Sequence, residues 1–200
     1  MFVMGFPPHP RIILASRSPR RLQLATEAGW AVTAMPPPES AEAAAPRRGA
    51  GETLEAYVLR LARAKAVAAA PQENTALILA CDTLSEVDGR ELGQAADEAE
   101  ARRMLLSLSG RRHRVVTGVC LWQRPEPAPQ CATDESELEM GPLDDAFLDW
   151  YLASGLWRGK AGACGFQDER LPLRLIAGSP SNVVGLPLEL IGRLLGERNA

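Results

Sequence analysis

Between Ile13 and Leu24 the chain reads ILASRSPRRLQL, a short apolar run that passes two serines and a proline and enters a helix with Arg20 and Arg21 in its first turn. Ser18 followed by Pro19 is a helix start. The hydroxyl can cap free backbone N–H groups, and proline at the first helical position gives up an N–H that had no partner there. Capping needs one serine, however, and the positive end of the helix dipole disfavours cations. Ser16, Ser18, the guanidiniums of Arg17, Arg20 and Arg21 and the exposed N–H groups would together cradle a phosphate. On the residues alone that reading stands beside a plain charged helix start.

Other stretches carry chemistry of their own. Ala80-Cys81-Asp82-Thr83 puts Asp82 and Thr83 just past an apolar run, where a carboxylate can hold a metal or orient water. The alternative is an Asp that caps a turn. Lys65 falls on the apolar stripe of a helical pattern, so it either serves a site or snorkels past the core edge. Of 22 cationic residues only Lys65 and Lys160 are lysines, which marks both as positions wanting a compact ammonium instead of a planar fork. Glu39 and Glu42 lie in a long loop and read as solvated charges. GKAGACG (159–165) reads as a tight loop, and His113, between arginines, as structural. GxxxxGK[ST], GxSxG and HExxH are all missing from the sequence.

Periodicity supplies the elements that must position these groups. It predicts strands at 12–15, 30–35, 76–81, 113–123, 131–140 and 171–177, with the third ending at Asp82-Thr83. Helices are predicted at 19–28, 53–70, 95–108, 143–153 and 187–195. Residues 36–51, rich in proline, alanine and charge, form a long loop. Strands and helices mix without strict alternation, so the expected class is α/β with a mixed sheet flanked by helices, in one domain spanning 1–200.

A net charge of -3 argues against non-specific nucleic-acid binding, and no apolar run approaches the ~20 residues of a membrane span. The start, MFVMGFPPHP, lacks a basic segment and reads as no signal peptide. Cys81, Cys120, Cys131 and Cys164 are scattered and the chain has two histidines, which speaks against zinc and for reduced thiols in a cytoplasmic protein.

Taken together, the motifs resemble the Maf family of nucleoside triphosphate pyrophosphatases over nearly the whole length. LASRSPRR resembles its SxSxRR signature, YVLRLARAKA its LAxxKA helix, and ACDT its ADT motif. LSGRRHRVVTGV, GKAGACGFQ and GSPSNVVGLPLELI resemble the later LSGxxHxVxTGV, DKAGAYGIQ and GSxxNVVGLP segments in the same order. The resemblance implies two lobes around a central cleft, as in the Maf and ITPase-like folds. It implies cleavage of a nucleotide between its α- and β-phosphates, yielding the monophosphate and pyrophosphate, with a divalent cation, Mg²⁺ or Mn²⁺. Ser16, Arg20, Arg21, Lys65 and Lys160 would then contact phosphate. Asp82 would be the proton acceptor, acting mainly by holding the metal and aligning a water, since an aspartate is a weak base at neutral pH. Arg20, Thr83 and Gln167 match the specificity positions of members acting on dTTP and UTP; members acting on 7-methyl-GTP carry Trp, Gln and Glu there. A homodimer follows by analogy only.

Departures from the pattern are local. LGKP of the family is LGQA here, so Gln94 replaces a lysine, and PPESAE aligns Glu42 with a site carboxylate and Ala41 with an aspartate, unless spacing favours Glu39. Gln94 and Ala41 leave open a second reading, a nucleotide-binding regulatory protein with weakened or lost catalysis.

Overall fold

In the computed structural model, which describes residues 11–38, 46–70 and 75–197, the apolar runs pair into a seven-stranded mixed sheet. Its strands are β1 (Ile12–Leu14), β2 (Val32–Ala34), β3 (Leu77–Val87), β4 (Arg90–Leu92), β5 (Arg112–Gln123), β6 (Gln130–Met140) and β7 (Leu173–Ala177). The order is β2-β1-β3-β5-β6-β7, with β4 on β3. β1 runs parallel to β2 and β3; every other pairing is antiparallel. The helices are α1 (Pro19–Glu27), α2 (Leu54–Ala69), α3 (Glu98–Leu108), α4 (Asp145–Ser154), α5 (Pro180–Val184) and α6 (Leu188–Glu197). This is the mixed α/β class expected, and no described helix is long and apolar enough to cross a membrane.

Side-chain alternation along β3 and β5 assigns the two faces of the sheet. Ile78 and Ala80 of β3 and Cys120 and Trp122 of β5 pack under α2, against Ala62, Ala66 and Ala69. Those alanines bring the helix close. At Gly118 the Val58 carbonyl of α2 occupies the place a Cβ would need. The opposite face carries two separate helix clusters. Leu79, Cys81, Val119 and Leu121 lie under α1 and α6 with Ala25, Leu190 and Ile191. Toward the other end of the sheet, Val87 of β3 and Met140 of β6 lie under α3 and α4 with Leu105, Tyr151 and Trp157. A strip of sheet between the clusters is left uncovered by either.

Several boundaries differ from the periodicity. β3 does not end at Asp82-Thr83; it continues to Val87, because Ser85 and Val87 keep the two-residue alternation of buried positions and β4 pairs with its last three residues. β4 and α5 were not expected: each is five residues or fewer, too short for a periodic signal. α3 starts at Glu98 because Asp97 caps it, its Oδ1 accepting from the Glu100 N–H at 2.7 Å. The expectation of reduced thiols fails for one pair. Cys120 and Cys131 stand directly opposite in the β5–β6 register, with Cα atoms 4.2 Å apart, and form a disulfide. Spacing along the chain conceals that adjacency, which only the hairpin register creates. Cys81 and Cys164 are free.

Candidate active site

β1 and β4 pair with the same edge of β3, β1 at Leu77–Leu79 and β4 at Ser85–Val87. The stretch between them, Ala80 to Leu84, has no strand on that side among the described residues. Into this gap turns the chain leaving β1, through Ser16 and Ser18 to α1. The cleft between the two helix clusters opens here, with a volume of about 700 Å³, in the range of small-molecule sites.

Arg21 closes one side of the gap. Its side chain is buried, at 8% exposure, and four of its five N–H groups have acceptors: Nε to Gly185 O at 2.7 Å, Nη1 to Cys81 O at 2.9 Å and to Ser16 Oγ at 3.3 Å, Nη2 to Thr83 Oγ1 at 2.8 Å. The Cys81 carbonyl is one the missing strand would otherwise have paired. Gly185 has φ +101°, and a Cβ there would lie 2.8 Å from Thr83 Oγ1, so only glycine lets this network close. Beyond Thr83 the polarity of the chain of hydroxyls is fixed. Thr117 donates to Asn182 O at 3.2 Å, so the 2.9 Å contact between the two threonines is a donation from Thr83. Thr83, Ser85, Val115, Thr117 and His113 face the same side of the sheet, and all but Thr117 line the cleft directly as its floor.

Asp82 sits on the other face of β3. Its Oδ1 accepts from Nζ of Lys65, which α2 presents at the gap, and Lys65 itself lines the cleft. Two residues further along that face, Glu86 binds Arg48 at 2.9 Å and Arg114 at 2.7 Å, and Arg114 also reaches Glu55 and Glu135. That network is closed by charge on every side and lies away from the cleft.

The opposite wall is the segment from Leu156 to Asp168 that follows α4. Arg20 spans to it from α1, its Nη2 donating to Gly159 O at 2.6 Å. Lys160, Phe166 and Gln167 line this wall. Burial and then the neighbouring Arg21 charge lower the Arg20 pKa; burial and then Arg20 lower that of Lys160. Gln94 also lines the cleft and is stitched by a backbone bridge to Ala161. His113 is 4% exposed, and burial pushes its pKa from the usual 6.5 to about 4, so it is neutral at pH 7. Cys164 is pushed up to about 12 by burial and is no nucleophile at neutral pH.

The structure thus brings Ser16, Arg20, Arg21, Lys65, Thr83, Lys160 and Gln167 to one cleft; Asp82 is not among its lining residues and is linked to it through its ion pair with Lys65. Glu39, Ala41 and Glu42 lie outside the described residues. Sequence reasoning gave no role to Thr117, Asn182 or Arg158, although each stands in or beside a quoted motif; Thr83 and Ser85 two apart on β3, and His113 and Thr117 four apart on β5, were the available signal for the floor. Arg17, Arg20, Arg21, Lys65, Arg158 and Lys160 face a space whose lining includes one carboxylate, Asp168, in a chain whose net charge is -3. Such a cleft selects an anion. No cluster of three His, Cys, Asp or Glu exists among the described residues. Asp82 offers a hard oxygen donor, which suits a Mg²⁺ or Mn²⁺ completed by phosphate oxygens and water.

The fold is shared with a HAM1 protein from Coxiella burnetii, with a TM-score of 0.51 at 21% identity over 94% of this chain and all of that one. Residues 11–198 match the model of the Maf family, described as Maf-like protein. The dTTP/UTP pyrophosphatase of Rhodopirellula baltica is 42% identical over 199 residues, covering 98% of this chain and 86% of its own. That of Sphingopyxis alaskensis is 43% identical over 182 residues, covering 90% and 92%. The chain belongs to the Maf family.

Proposed function

We propose that this cleft hydrolyses nucleoside triphosphates between the α- and β-phosphates, releasing the monophosphate and pyrophosphate, and that it prefers dTTP and UTP. The observation that carries the reading is the ring of cations around a cleft in which one of them, Lys65, is paired with Asp82. The names of the Rhodopirellula and Sphingopyxis relatives support the substrate.

In this reading Arg20, Lys65 and Lys160 meet the phosphates, while Ser16 and Arg21 shape the cradle from behind. Arg21 reaches the ligand mainly through what it holds, since four of its five N–H groups already have acceptors and one Nη2 N–H is left for an anion. Asp82, oriented by Lys65, aligns the attacking water. Asp82 and Glu42 would hold the divalent cation, which when bound neutralises phosphate charge and makes a bound water more acidic. Thr83 and Gln167 meet the base; a Gln amide offers both a donor and an acceptor to a pyrimidine edge. A cytoplasmic location follows from the substrate, since nucleotide pools are cytoplasmic, although a disulfide such as Cys120–Cys131 is uncommon there. A homodimer is carried over from the resemblance alone.

The test is pyrophosphate release with Mg²⁺ or Mn²⁺ across dTTP, UTP, CTP, GTP and 7-methyl-GTP, beside Asp82→Asn. The expected result is release from dTTP and UTP that falls by about 10³-fold or more in the variant while nucleotide binding persists. Binding without release from any nucleotide by the unaltered chain would establish the regulatory reading that Gln94 and Ala41 leave open.

A further inference from the structure

The wall that follows α4 brings two cations to the cleft, Arg158 and Lys160; Gln94, joined to that wall through the Ala161 bridge, brings no charge. Lys160 is half-buried and folds over Gly165, whose missing Cβ leaves it the room. Arg158 is exposed and is held in another way. Its guanidinium carbon lies 4.5 Å from the ring centroid of Trp157. Trp157 is a fixed platform: it is buried in the cluster under α3 and α4, and its Nε1 donates to Leu152 O at 3.1 Å. The backbone is pinned as well, with Arg158 N donating to Gly155 O at 3.2 Å.

A guanidinium stacked on a ring uses its face, and its N–H groups lie at the edge, in its own plane. Stacking therefore orients Arg158 without consuming a donor, and none of its five N–H groups has an acceptor among the described residues. The other guanidiniums of the cleft are committed at least in part: Arg17 to Pro37 O at 2.9 Å, Arg20 to Gly159 O at 2.6 Å and Arg21 to four acceptors. An oriented fork with an open edge matches paired phosphate oxygens. On the function proposed above, the phosphate under attack lies where Asp82 aligns water, and the base lies on Thr83 and Gln167. The two remaining phosphates then extend toward the exposed side of the cleft, where Arg20 crosses to Gly159, and Arg158 is the residue next to Gly159 in the chain. Resting on that reading, we infer that Arg158, presented on the face of Trp157, binds the pair of phosphates that leaves as pyrophosphate.

The two products are the probes, because neither turns over. Calorimetry would measure binding of inorganic pyrophosphate and of dTMP, each with Mg²⁺, to the unaltered chain, Arg158→Gln and Arg158→Lys. Arg158→Gln should weaken pyrophosphate binding by about tenfold or more and leave dTMP binding within about twofold. Arg158→Lys keeps the charge and loses the fork, so it should recover no more than about threefold of that loss. In turnover the same change should raise KM for dTTP by about tenfold with kcat little altered. Unchanged pyrophosphate binding in Arg158→Gln would overturn the inference, and so would equal weakening of both products, which marks a general field instead of a contact. Full recovery by Arg158→Lys would overturn the stacked fork as its basis. Failure of the proposed function looks different: the unaltered chain then releases no pyrophosphate from any nucleotide, while the comparison of product binding still decides the role of Arg158. An unaltered chain that binds no pyrophosphate would overturn both.

Discussion

On the α1 side of the cleft, polar groups are consumed in holding the wall together. Arg21 satisfies two carbonyls and two hydroxyls, Ser16 Oγ accepts from Ser18 N at 3.1 Å as well as from Arg21, and the hydroxyl chain from Thr83 ends on a backbone carbonyl of α5. On the facing side, Lys160, Arg158 and Gln167 sit on a glycine-rich segment whose near flank is joined to the rest by Arg20. Arg20 and Arg21 are neighbours on one helix, and the two walls divide them: one is part of the scaffold, the other is turned outward. A charged residue in a cleft is thus read by what occupies its hydrogen-bond donors, and the identity of the side chain does not reveal this.

The sharpest way to break the contrast is Arg21→Met. It would strand the Gly185 and Cys81 carbonyls in a buried site, and removing one side of such a network costs about 3–5 kcal/mol. Urea denaturation should show that loss; a loss under 1 kcal/mol would mean that the α1 wall is no more built than the other. The floor between the walls gives the next effect. The folded chain keeps His113 neutral down to about pH 4, whereas the unfolded chain takes up its proton near 6.5. Between those values the unfolded state binds more protons, so stability is whole above about pH 6.5 and declines as the pH falls toward 4, by up to about 3 kcal/mol. His113→Gln should flatten that decline in denaturation series from pH 7 to 4. The smallest effect belongs to Arg20→Met, whose single hydrogen bond at the cleft mouth contributes about 1 kcal/mol to stability. Thermal melts should show a small shift, against the large loss expected of Arg21→Met.

How far the sequence carried these distinctions depends on range. Ser18-Pro19 specified the start of α1 because capping and the proline ring act within one turn. Asp82, Lys65 and Lys160 were legible from their place in motifs, and Lys65 also from its stripe on α2. By contrast, nothing local distinguishes Arg20 from Arg21; their partners, Gly159 and Gly185, come from segments more than a hundred residues away. β3 was cut short in the reading because Asp and Thr resemble a turn, when they are a strand crossing open space. Cys120 and Cys131 become neighbours only through the register of a hairpin. What the sequence withheld was pairing at long range, and the cleft is made of it.

The gap left in the sheet between β1 and β4 has a consequence for how such a protein can change. Where a strand lacks a neighbour, residues on its two faces can approach one ligand around the open edge, and the proposed roles use consecutive residues, Asp82 and Thr83, in that way. On the roles proposed here, the reaction is assigned to one face and the choice of base to the other. Each face has its own supporting shell, α2 behind Asp82 and the Arg21 network behind Thr83. Substitutions that retune the base contact therefore need not pass through the groups that orient the water, and a lineage can trade one nucleotide for another while its hydrolytic apparatus stays as it was.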